Sequence, residues 1–141
     1  MSRVFWDSML FIYLLDGNRR FADCVIERLG RSYDRGDELF TSHLALGEVM
    51  AGYGKDEQQR SEVQEKIRSM GFSFVAFDGA CTSTFARLRN ERGLRAPDAI
   101  HLACAAAART DMFLTGDAQL LKRGLYVPGI QFIADFTLPV L

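Results

Sequence analysis

The chain has 141 residues, 48% of them hydrophobic and 25% charged, with a formal net charge of −1. That is apolar material enough for one domain of ordinary size; it excludes a disordered polar chain and provides no run of roughly 20 apolar residues for a membrane span. The generic strongly basic nucleic-acid module is excluded too, so any nucleic acid must be drawn by local basic patches.

The elements are predicted in chain order from apolar spacing and turn residues. VFWD (4–7) reads as a short buried strand ending in an acid. SMLFIYLLDG (8–17) follows as a helix, with Ser8 as its expected N-cap and Gly17 as its stop. Residues 19–36 carry Phe21, Val25, Ile26 and Leu29 at helical spacing. ELFTS (38–42) is a strand, and HLALGEVMAGYG (43–54) a helix. A polar helix is expected over 56–71 and a β-rich run, FSFVAF, over 72–77. Residues 78–93 read as one helix with Asp78 near its cap, and 96–110 as an alanine-rich helix. A strand over 111–116, a short helix over 117–124 and a last strand over 129–133 complete the chain. Apolar strands alternating with helices predict an α/β fold. Its central sheet is expected to be mostly parallel, with helices on both faces, in a single domain over residues 1–141.

Three cysteines, Cys24, Cys81 and Cys104, and two histidines, His43 and His101, lack CxxC or zinc-pair spacing. Neither a disulfide framework nor a zinc centre is expected. Trp6-Asp7-Ser8 interrupts the apolar start and no small-residue cleavage site follows, so no secretory signal is expected and the cytoplasm is the default compartment.

Four acids stand out by position. Asp7 closes the first strand, and Asp117 follows the strand MFLT after Thr115-Gly116. Asp98 opens the alanine-rich helix, and Glu48 interrupts the apolar set Leu46, Val49 and Met50. Taken singly, Asp98 and Asp117 are ordinary helix-start acids, and His101 is a packed or hydrogen-bonded core histidine. In open α/β sheets, however, ligands bind beyond the carboxyl ends of the strands, and these acids can converge there. Carboxylates crowded within ~4–6 Å raise one another's pKa. A hard divalent cation such as Mg²⁺ or Mn²⁺ relieves that cost.

VFWDS (4–8), TSHLALGEVMAG (41–52), PDAIHLACAA (97–106) and FLTGDAQLLK (113–122) together resemble the PIN-domain ribonucleases, most closely the VapC-type toxins of toxin–antitoxin pairs. The resemblance spans nearly the whole chain, and the last two segments are its most specific part. It implies a single PIN-like domain and a metal-dependent endoribonuclease. Mg²⁺ or Mn²⁺ would be held at the positions matching Asp7, Glu48, Asp98 and Asp117. Asp7 and Asp98 are then expected to hold the principal ion. Glu48 and Asp117 orient its waters or hold a second ion, and Thr115 fixes a water or a carboxylate. The sequence departs from the family twice. Met9 stands where Asn or Ser is frequent, and Ala45 where a hydroxyl residue is frequent. The resemblance also implies a cognate antitoxin, a homodimer with the first helices supplying apolar contacts, and an RNA substrate with no membrane partner. RNA approaching a negative pocket needs rim cations; Arg19, Arg20, Arg92, Arg95, Lys122 and Arg123 are the candidates, Arg95 foremost. Trp6, Phe11 and Tyr13 are expected to be buried and not to stack on bases.

The alternative is a catalytically silent PIN module that binds RNA or protein; retention of all four acids argues against it. A DxD phosphatase is broken by Asp7-Ser8-Met9, and GxGxxG and GxxxxGK are absent.

Overall fold

The computed structural model describes residues 1–122 and 124–138. Its strands are β1 (Arg3–Trp6), β2 (Glu38–Ser42), β3 (Phe72–Val75), β4 (Thr110–Thr115) and β5 (Ile130–Asp135). Its helices are α1 (Ser8–Asp16), α2 (Ala22–Arg35), α3 (His43–Ala51), α4 (Glu57–Ser69), α5 (Thr82–Arg92), α6 (Ala96–Ala107) and α7 (Ala118–Lys122). The strands form one five-stranded sheet in the order β3-β2-β1-β4-β5. Every pairing in it is parallel.

Alternation along the strands builds two cores. Phe5 and Phe113 face one side and stack with ring centroids 5.3 Å apart. They are covered by Leu102 and Ala103 of α6, Leu88 of α5 and Leu120 of α7. Val4, Trp6, Leu39, Phe72 and Leu114 face the other side, against Leu10 and Phe11 of α1, Val25 of α2, Leu46 and Val49 of α3, and Ile67 of α4. A parallel sheet needs this double cover because each of its faces is apolar. Each fully buried Leu or Phe contributes about 1.5–3 kcal/mol of transfer free energy. Ala99, Ala103, Ala105 and Ala106 of α6 are buried as well, which lets that helix lie close to the strands.

The chain runs outward from β1 through β2 to β3, then returns to place β4 on the other side of β1. Crossovers keep one hand, so reversing direction moves the covering helices to the opposite face. The carboxyl ends of β1 and β4 therefore meet at the point where the winding reverses, the usual place for a ligand in such sheets.

Several local expectations are corrected. Residues 78–93 are not one helix: Asp78 Oδ1 accepts from the Ala80 amide at 3.0 Å and folds a 3-10 turn, Gly79–Cys81, before α5 begins. The helix expected from residue 19 starts at Ala22, because Asn18 Oδ1 accepts the amides of Arg20 and Phe21 at 2.9 and 3.0 Å and holds them in a turn. The N-cap of α1 is Asp7, not Ser8, and it accepts the Ser8 amide. Trp6 and Phe11 are fully buried, as expected. Among the described residues no helix is long and apolar enough to cross a membrane.

Candidate active site

Asp7 leaves β1 in an extended conformation, its amide donating to Leu114 O at 3.0 Å, so the β1–β4 ladder carries it to the winding reversal. Its Oδ1 accepts the Ser8 amide at 2.8 Å and its Oδ2 accepts the Thr115 hydroxyl at 2.7 Å. Thr115 is fully buried, and its Oγ1 in turn accepts the Asp117 amide at 3.1 Å. A single hydroxyl thus fixes two acids, one from each neighbouring strand end. Below them the Thr41 hydroxyl donates to Trp6 O at 2.9 Å and ties β2 to the same corner. Asp117 also accepts the Gln119 amide at 2.8 Å, so it starts α7 while facing the cluster. Met9, at the first departure from the family pattern, brings its Sδ to 3.1 Å from the Gly116 amide. It thereby braces the loop that carries Asp117.

Asp98 sits in the first turn of α6, behind Arg95 as N-cap residue and with Pro97 in the opening turn, where proline costs no hydrogen bond. Its carboxyl is pushed up from the ordinary 3.8, first by burial and then by the charge of Asp117, with Asp7 adding to it. Arg95, whose Nε lies 3.4 Å from Asp98 Oδ2, only partly offsets this. Asp117 and Asp7 thus act on Asp98 through their charges. Glu48 approaches from α3. Its Oε1 accepts from His101 Nε2 at 2.7 Å, and this bond holds its carboxyl below the ordinary 4.5 against the opposing effect of burial. The Ser8 hydroxyl and the Arg95 charge act in the same direction as His101. Ser8, the residue beside Asp7, thus reaches Glu48, and Arg95 acts on both Glu48 and Asp98.

Among the described residues, no three acidic, histidine or cysteine side chains are gathered closely enough to close a metal cage. Magnesium does not require one: it keeps several waters and is held by one or two carboxylates with substrate phosphate completing the shell. The donors here are hard oxygens, and the Asp98 carboxyl is raised first by its burial and then by the charges of Asp117 and Asp7, which outweigh Arg95. Both features fit such a cation.

This charge has a measurable consequence. Asp98 ionises at a higher pH in the folded state than unfolded, so its ionised form costs stability at neutral pH. That cost fades as pH falls through the raised value and is gone below 3.8. Glu48 behaves oppositely, contributing stability above 4.5 that is lost as pH falls through its depressed value. Asp98→Asn is therefore expected to raise the thermal midpoint at pH 7 without divalent metal. The increment should shrink towards pH 3.8 and on adding Mg²⁺. A midpoint that falls at pH 7 contradicts the assignment.

The expected rim cations are placed unequally. Arg95 stands over the cluster, its side chain 77% exposed. Arg20 lies over the Phe21 ring at 5.0 Å. Phe21 contacts Phe136, which lies against Gly116, so this turn borders the site on the β4 side. Arg19 is exposed in the same turn, Arg92 ends α5, and Lys122 ends α7; Arg123 lies outside the described residues. A cavity of about 690 Å³ opens at the opposite end of the sheet, between Ala106, Thr110, Tyr126 and Ile130. It holds none of the four acids. Beside Glu48 a smaller groove of about 130 Å³ runs between α1 and α3, lined by Ile12, Leu15, Val49 and Tyr53. Ser8, Ser42 and His101 were not singled out for the site from the sequence. The available signal for His101 was its place three residues after Asp98, hence on the same helix face.

The sequence matches the family described as PIN domain over residues 4–124. No curated protein matches the chain. Among solved structures, a chain of VapBC2 from Rickettsia felis, crystallised bound to a DNA fragment from their promoter, is 17% identical with a TM-score of 0.71. The match covers 94% of this chain and 97% of that one. A chain of the DNA-bound VapBC from Salmonella typhimurium is 19% identical with a TM-score of 0.71, covering 96% and 99%. A chain of VapBC-1 from nontypeable Haemophilus influenzae is 15% identical with a TM-score of 0.67, covering 95% and 98%.

Proposed function

The chain belongs to the PIN-domain family, and from that premise we propose that it is a metal-dependent endoribonuclease, the VapC-type toxin of a toxin–antitoxin pair. The observation that carries this reading is the meeting of Asp7 and Asp117 on the buried Thr115 hydroxyl at the winding reversal of the sheet, with the half-buried Asp98 carboxyl within reach of both charges. Asp7 and Asp98 would hold the principal Mg²⁺ or Mn²⁺, with Glu48 and Asp117 on its waters or on a second ion. A bound divalent ion supplies a water of lowered pKa and neutralises the phosphate. The residues supply the rest. Thr115 keeps Asp7 oriented through its 2.7 Å hydrogen bond. The positive end of α6 favours ionised Asp98. Arg95 stands where an incoming phosphate passes, with Arg20, Arg19 and Lys122 extending the attraction along the rim. Water attacks phosphorus and the P–O3′ bond breaks, the 3′ oxygen taking a proton. The products carry 5′-phosphate and 3′-hydroxyl ends.

The structural neighbours are toxin–antitoxin complexes, which supports an antitoxin as partner. Its segment fits the apolar groove of Ile12, Leu15, Val49 and Tyr53, which opens directly on Glu48. Exposed Ile26 and Tyr33 on α2 offer apolar contact to a second copy of the chain, and the cytoplasm is the compartment where RNA is met. The 141 residues act as one domain.

Incubation of the purified chain with single-stranded and looped RNA is expected to give cleavage in Mg²⁺ or Mn²⁺. EDTA should abolish the reaction and added metal restore it, with ligatable 5′-phosphate ends on the products. Cleavage resistant to EDTA, or 2′,3′-cyclic phosphate ends, contradicts the reading.

A further inference from the structure

His101 is 3% exposed, and both of its ring nitrogens are engaged. Nδ1 lies 2.9 Å from Ser42 Oγ and Nε2 lies 2.7 Å from Glu48 Oε1. The proton positions follow from counting donors and acceptors. Ser42 is fully buried and caps α3, its Oγ accepting the Ala45 amide at 2.9 Å. Its one hydroxyl proton is then directed at His101 Nδ1, the acceptor beside it. With Nδ1 accepting, the ring proton sits on Nε2 and is donated to Glu48. A protonated ring would instead leave the buried serine hydroxyl without an acceptor among the described hydrogen bonds.

We propose that Ser42 and His101 form a positioning relay for Glu48, an inference that rests on the metal-dependent nuclease reading above. The relay commits one oxygen of Glu48 to the imidazole and so fixes how its carboxylate meets the acid cluster. It also joins α3 to α6, two helices whose apolar faces belong to different cores on opposite sides of the sheet. Glu48 comes from the first and Asp98 from the second, so the Glu48–His101 bond that joins the two helices sets the width of the site. A packing role alone does not explain the choice of residue. Burying a polar ring costs free energy that a leucine or phenylalanine of similar volume avoids. Moreover the His101 side chain is 4% exposed while that of Glu48 is 37% exposed. The relay thus reaches from the dry interior to the wet rim, ending on the group that faces substrate.

Three variants separate positioning from packing. His101→Phe fills the space and removes both bonds, His101→Asn keeps reach to Ser42 but not to Glu48, and His101→Gln keeps a side-chain amide able to reach Glu48. Mn²⁺ affinity, read by electron paramagnetic resonance on the protein without RNA, is expected to fall about 10–100-fold in the Phe and Asn variants. The Gln variant should recover most of it. RNA cleavage is expected to follow the same order, with kcat falling more than KM changes. In the wild type, long-range ¹⁵N correlation should show the proton of His101 on Nε2. Wild-type Mn²⁺ affinity in the Asn variant, or a ring proton on Nδ1, overturns the relay. If the Phe variant does not fold, the comparison of Asn with Gln decides alone. A wild-type chain that binds Mn²⁺ yet cleaves no RNA overturns the nuclease reading instead, and the affinity series still decides the relay; one that binds no Mn²⁺ overturns both.

Discussion

Asp7→Asn is expected to lower Mg²⁺-dependent RNA cleavage by on the order of 100-fold or more while the chain stays folded. Asn keeps the side-chain oxygen that accepts the Ser8 amide, so the cap of α1 survives. What is lost is the negative charge, together with the oxygen that accepts the Thr115 hydroxyl at 2.7 Å. That hydroxyl also holds the Asp117 amide, so one substitution weakens a proposed metal ligand and disturbs a second. Outer partners of metal ligands typically cost 10–100-fold when removed, and a ligand should lie at or beyond the top of that range. Single-turnover cleavage beside circular-dichroism melting checks this. Undiminished cleavage by a folded Asp7→Asn protein removes Asp7 from the chemistry.

Gly129→Ala is expected to destabilise the fold by about 3 kcal/mol, from backbone strain added to overpacking. Gly129 has φ of +100°, a conformation that L residues rarely adopt. A Cβ there would also stand 2.6 Å from Ala106 O, on the backbone of α6. The obstacle is main chain in a packed helix and cannot rotate aside. Gly93, at φ +64° with nothing within 4 Å of its missing Cβ, isolates the conformational part alone. Gly93→Ala should cost only about 1 kcal/mol. Urea unfolding of both variants gives the difference; equal losses would mean that the approach of Gly129 to α6 relaxes without cost.

The contrast between what the residues revealed and what they concealed is one of distance along the chain. ELFTS fell within its strand limits because a short apolar pair with β-favouring Thr41, followed at once by a helix pattern, is a local signal. The alanine run of α6 was readable as a packing face for the same reason. The 3-10 turn at Gly79–Cys81 was hidden inside a stretch of helical composition, since only the bond from Asp78 to Ala80 breaks it. The Asp7 cap was overlooked in favour of Ser8, although an acid at a strand end can serve both strand and helix. At the site, the four acids were visible because each marks an element boundary or interrupts an apolar set. The Ser42–His101 and His101–Glu48 bonds span 59 and 53 residues. No periodicity reports contacts of that kind. The order of the strands, and hence the corner where β1 meets β4, likewise depends on pairing between distant segments.

The Thr115–Asp7 bond joins residues 108 positions apart. A ribosome adds about 5–20 residues per second, so Asp7 emerges roughly 5–20 s before its partner exists. Throughout that interval β1 lacks the neighbour that completes the corner, and the nascent chain carries scattered carboxylates in place of a pocket. The corner that gathers these carboxylates therefore cannot close until β4 has been made.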